Sequence, residues 1–200
     1  EDFINLFKCK SIEELASYLR ENTNYEVILK EVNINNIHRR ELEQLIKAYV
    51  LFQYEKLLHY FNGEYKKLFR SIFMRYEIED LKLYLRVLSK GEDIEKLVNH
   101  TVYPAKFRVL NYEKLSSSKD IEEFVENLSG TIYYEILKPY LRKEDRRLLF
   151  YMEMNLDRFY FQTIKKQGLK LDKLDSKIFE DFLGKNIDLL NLEWIYRGIK

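Results

Sequence analysis

Apolar residues recur at three- and four-residue steps along almost the whole of this 200-residue chain, and only two prolines and six glycines interrupt them. That period puts one apolar stripe on each helix, so the pattern predicts an all-α fold. Ser11-Ile12-Glu13-Glu14 reads as a capping box, with Ile12, Leu15, Ala16 and Leu19 as the stripe behind it. A short helix follows with Tyr25, Ile28 and Leu29, then a long one from about Ile37 to Phe61, closed by Asn62-Gly63. Glu64 to Arg75 and Glu77 to Ser89 read as two separate helices ending at Gly91, and Asp93 to Asn99 as a further short one before Pro104. Pro139 is expected to stop or kink the helix carrying Tyr133 to Leu137.

Ser116-Ser117-Ser118 is the most linker-like stretch, and the helical pattern restarts after it. The restart repeats what came before. Ile12-Glu-Glu-Leu15 corresponds to Ile121-Glu-Glu-Phe124, and Tyr25-Glu26-Val27 to Tyr134-Glu135-Ile136, both 109 residues apart. Glu43 corresponds to Glu153 at 110 residues, and Asp80-Leu81 with Arg86 to Asn191-Leu192 with Arg197 at 111. Four ordered anchors at nearly constant spacing predict two tandem, pseudo-equivalent helical repeats, residues 1–115 and 116–200.

Charge and chemistry narrow the function classes. The 34 basic and 33 acidic residues nearly cancel, whereas a nucleic-acid binder usually shows a basic face. Cys9 is the only cysteine, so no disulfide framework or CxxC metal site forms within one chain. His38, His59 and His100 show no paired-ligand spacing, and no phosphate-cradling glycine loop occurs. The expectation is a non-catalytic protein without a cofactor. The longest apolar run, Ala48 to Tyr54, falls far short of the roughly 18–20 residues that cross a bilayer, so any membrane role is expected to be peripheral. The chain opens at Glu1 without Met or a signal segment and reads as a processed or truncated one.

The segment from Phe61 to Arg86, with Gly63-Glu64 at its entry, an acidic turn, then Asp80-Leu81-Lys82 and Arg86, resembles the first repeat of the C/d subunit family of V-type and archaeal-type rotary ATPases. Thr131-Ile132-Tyr133, the Glu153-to-Tyr160 stretch and Ile187-Asp188 through Asn191-Leu192 to Arg197 resemble it again, in the same order. The resemblance implies three such repeats in a funnel whose cavity receives the tip of the central stalk and whose end sits on the membrane rotor ring. The partners implied are those stalk proteins and that ring, on the cytoplasmic face of a membrane. The role implied is torque transmission for H+ or Na+ transport, without chemistry of its own. The chain departs from the pattern in carrying two repeats, with the third absent.

The residues expected to bind a partner or pack the repeats are Lys82, Arg86, Asn191, Trp194 and Arg197. Two roles stand open for Arg86 and Arg197: contact with the stalk, or a forked pair with Glu43 or Glu153 of the same repeat. Asp80 and Asn191 read as helix caps, and Trp194 as core or interface anchor. A generic helical adaptor for another protein is the rival reading, and an RNA-associated helical protein a weaker one.

Overall fold

The computed structural model describes residues 2–92, 94, 110–141 and 147–199, with side chains of 193, 194 and 197–199 excepted. Every regular element among the described residues is helical. The first half comprises α1 (Asp2–Lys8), α2 (Ile12–Asn22), α3 (Glu26–Leu29), a 3-10 turn (Ile34–Asn36), α4 (Arg39–Leu58) and α5 (Gly63–Leu88). α6 (Tyr112–Ser116) straddles the boundary expected at 115/116, and the second half comprises α7 (Ile121–Asn127), α8 (Ile132–Leu137), a 3-10 turn (Lys138–Tyr140), α9 (Leu148–Gly168) and α10 (Lys173–Ile199). The segment read as a helix from Asp93 to Asn99, with Pro104 after it, lies outside the described residues. Pro139 sits in the 3-10 turn that ends α8, as its missing N–H requires.

The two halves begin with the same cap. Ser11 Oγ accepts from the Glu14 amide at 3.2 Å, and Asp120 Oδ1 accepts from the Glu123 amide at 2.8 Å. Glu14 and Glu123 reach back to the amides of Lys10 and Lys119 at 2.7 and 2.9 Å. Each end thus has donors satisfied from both directions. The reach is one residue further back than in the usual capping box.

Three sequence expectations are corrected here. Glu64–Arg75 and Glu77–Ser89 are one helix, α5. No glycine or proline interrupts it, and its buried positions Leu68, Phe73, Ile78, Leu81, Leu85 and Leu88 continue across the expected break. Asp80 is not a cap: it lies buried inside α5 and accepts from the Tyr112 hydroxyl at 3.3 Å. Glu77, one turn earlier, accepts from the Tyr133 hydroxyl at 2.6 Å. The acidic pair that reads as a turn is a buried site served by tyrosines from α6 and α8, which offsets the cost of burying it. Gly63, expected to close α4, opens α5 instead, with φ of +56°; only glycine takes that conformation without strain.

The core has three parts. Ala16, Leu19, Leu29, Ile34, Ile37 and Leu42 bind α2, α3 and the first turn to α4. Leu51, Leu58 and Phe73 join α4 to α5. The largest part is shared between halves: Ile78, Leu81, Tyr84 and Leu85 of α5 pack with Phe124, Leu137, Met152 and Leu156. The second long helix of the first half therefore completes the core of the second half. At ~25 cal/mol per Å2 of apolar surface removed from water, this shared core is the main tie between them.

Candidate functional site

The α5–α9 contact opens at one side into a cavity of about 930 Å3, floored by α10. Helical periodicity puts Glu79, Lys82 and Arg86 on one face of α5, and Glu153 and Asp157 on the facing side of α9. The Lys82 ammonium, only 7% exposed, lies 2.9 Å from Asp157 and 2.8 Å from Glu79. One turn further on, Arg86 grips Glu153 with two bonds, Nε to Oε1 at 2.5 Å and a terminal nitrogen to Oε2 at 3.0 Å. That hydrogen bond to Glu153 holds the Arg86 guanidinium above its usual range. The two pairs form a clamp across the junction of the halves.

The remaining wall is mixed. Arg75 and Arg158 add two cations, and Phe150, Met154, Phe161, Ile187 and Leu190 supply apolar surface. Arg75 stands 5.9 Å from the centre of the Tyr160 ring, whose phenol is pushed up, mostly by burial. Four cations therefore face three carboxylates in a groove with an apolar floor. Such an arrangement holds helices together and can receive a protein segment that offers carboxylates and apolar side chains.

Of the expected site residues, Lys82, Arg86 and Asn191 line this one cavity. Trp194 and Arg197 lie in α10, and their side chains fall outside those described. The pairing expected for Arg86 is corrected: its carboxylate belongs to the other half. Glu43 is taken by Arg39 at 2.7 Å, one turn away on α4. Sequence reasoning misses Asp157, Glu79, Arg75 and Arg158. The only trace they leave in the sequence is a charge at each helical step, which any solvated face also shows. A second junction is equally hidden: the Tyr65 hydroxyl, at the start of α5, donates to Asp172 at 3.1 Å and to Asp175 at the start of α10.

Among the described residues the fold is all-helical, with a groove of mixed charge and apolar surface where its two halves meet. The model of the ATP synthase (C/AC39) subunit family matches residues 1–200. The chain belongs to that family. It is similar to the A-type ATP synthase C subunit of Methanocaldococcus jannaschii, 26% identical over 194 residues, covering 96% of this chain and 48% of the relative. The protein of the same name from Archaeoglobus fulgidus is 28% identical over 200 residues, covering 98% and 55%. That of Methanosarcina acetivorans is 24% identical over 186 residues, covering 93% and 50%. The chain thus spans about half the length of these relatives. No helix among the described residues is long and apolar enough to cross a membrane.

Proposed function

We propose that this chain is a non-catalytic connector of an A-type or V-type rotary ATPase, seating the central stalk on the membrane rotor ring and passing torque between them for H+ or Na+ transport. In this reading it works peripherally, on the cytoplasmic face of the membrane. Residues 1–115 and 116–200 are two copies of one helical unit, within the three-unit funnel that the family resemblance implies. The observation that carries the reading is the junction between the units. Torque passes only through a body that does not shear, and here α5 of one unit is built into the core of the next and held there by the Lys82–Asp157 and Arg86–Glu153 pairs. Beside that junction lies the groove, where Arg75, Arg158 and the exposed Phe150 and Met154 are offered to an acidic, partly apolar stalk segment.

The test is binding to purified central-stalk proteins of an archaeal A-type ATP synthase. Phe150→Asp with Met154→Asp is expected to weaken binding by at least about tenfold, as loss of groove anchors does, with unchanged melting. Binding indifferent to both changes removes the groove from the interface. The exposed apolar stripe of α10 favours the rival reading, a general helical adaptor, and failure to bind any stalk protein selects it.

A further inference from the structure

Charge is spread unevenly along the groove between α5 and α9. Arg86 meets Glu153, Lys82 meets Asp157 one turn further along α9, and Arg75 stands 5.9 Å from the Tyr160 ring centre, further still. The two helices therefore run antiparallel beside the groove. Lys82 and Arg86 are shared among three carboxylates, Glu79, Asp157 and Glu153, so carboxylates are in excess over that stretch. Arg75 and Arg158 line the same groove and have no ion pair among the described residues, so their end is basic. The apolar surface follows one line. Phe150, Met154 and Phe161 recur along α9 at four- and seven-residue steps and all line the groove. Phe150 starts that line, two turns before Arg158.

The residues that line the groove all belong to helices, α5, α9 and α10. The main-chain groups of a helix interior are bonded within it, so these walls offer an occupant side chains only. An extended segment laid there would find no sheet edge, and its own N–H and C=O groups would be covered without partners. A helix brings its main-chain bonds with it. A helical partner also presents apolar residues at three-, four- and seven-residue steps, the spacing of the α9 line. Direction follows from charge. The last turn of a helix carries carbonyls without intrahelical donors and a partial negative charge, and the first turn carries the opposite. Arginines at one end of the groove favour the last turn there, and carboxylate side chains in that turn gain forked bonds. Carboxylates placed further along would meet Asp157 and Glu79, and like charges oppose docking.

We propose that the groove takes an amphipathic helix of a partner protein, running in the direction of α9. Its apolar stripe lies on Phe150, Met154 and Phe161, and its acidic, C-terminal turn lies between Arg75 and Arg158. From Phe150 to Phe161 the track is about 16 Å long, which is about three turns of helix. The inference rests on the reading above, that the groove receives a stalk segment, and adds the form and direction of that segment.

Photo-cross-linking to purified central-stalk proteins of an archaeal A-type ATP synthase tests it. The photoreactive residue p-benzoylphenylalanine replaces Phe150, Met154 or Phe161 in turn, and the stalk residue each position captures is mapped by mass spectrometry. All captures are expected in one stalk segment. The position of Phe161 should capture about eleven residues C-terminal to that of Phe150, and the position of Met154 about four, as a rise of ~1.5 Å per residue requires. An extended segment covers the whole track in about five residues. Captures about five residues apart over the whole track, captures in the reverse order, or captures in separate segments overturn the proposal and leave the stalk reading standing. Should the Phe161 variant fail to fold by circular dichroism, the Phe150 and Met154 positions still give order and step. Arg75→Ala with Arg158→Ala is expected to weaken stalk binding about tenfold at low salt and to flatten its salt dependence. Unchanged binding overturns the placement of the acidic end, again without touching the stalk reading. No capture and no binding by the unmodified chain overturns both.

Discussion

Replacing Arg86 by Met should cost more stability than replacing Glu153 by Gln, although the two residues share one ion pair. The pair has two charge-assisted bonds, at 2.5 and 3.0 Å, and such bonds contribute ~1.5–3 kcal/mol each when shielded. Arg86 is 49% exposed and Glu153 only 13%. Solvent screening at the arginine end therefore discounts the pair to roughly 1–2 kcal/mol in total. Losing Arg86 leaves a mostly buried carboxylate without its partner, which raises the cost toward about 2–3 kcal/mol. Losing the charge of Glu153 leaves a half-exposed guanidinium that turns to water, at about 1 kcal/mol. For a chain of this size each kcal/mol shifts melting by about 2–4 °C. Urea unfolding of wild type, both single variants and the double variant reads the costs and their coupling. Salt should change the asymmetry little, since screening acts mainly on the exposed end. An Arg86→Met variant within about 0.3 kcal/mol of wild type, below the usual additivity error, refutes the clamp. So does a Glu153→Gln variant that costs more than Arg86→Met.

Three further outcomes follow from the packing. Leu81→Ala, fully buried in the shared core, should destabilise by about 2–5 kcal/mol in a single cooperative denaturation; two separate transitions would show that the halves fold independently. Gly168→Ala should cost about 1–3 kcal/mol despite alanine's better helix propensity, because the added methyl would overlap the Phe179 ring where α9 meets α10; trimming Phe179 to Leu should recover most of it. The Asp175 carboxylate beside its hydroxyl pushes the Tyr65 phenol up to about 12. The fold therefore favours the protonated phenol, so its contribution is intact below the ordinary value of 10.0 and is lost as pH rises through about 12. Tyr65→Phe should remove one tyrosine from the latest-rising phase of phenolate absorbance; a late phase unchanged by that substitution would contradict the contact.

Local chemistry is legible in the sequence, and partnership is not. The Ser11 cap, the short helix at Tyr25, the long α4 and the stop at Pro139 all follow from residues within a few positions of one another. The break expected at Tyr76 fails because Glu77 and Asp80 look solvated until Tyr133 and Tyr112 arrive, 56 and 32 residues away. Arg86 stands out in the sequence as a candidate for a forked ion pair, but spacing points to a partner in its own half. Sequence spacing suggests neighbours within one half of the chain; α5 instead packs on helices of the other half. Lys82 and Asn191 are legible through family resemblance, whereas Asp157 and Arg158 carry no local signature apart from charge.

The connector role meets its sharpest test in an assembled A-type ATP synthase carrying the full-length protein with Lys82→Ala and Arg86→Ala. If the junction carries torque, ATP hydrolysis should continue while the ions moved per ATP fall, with the protein still retained in the complex. An unchanged ratio of ions to ATP, with the α5–α9 clamp demonstrably broken, would contradict it.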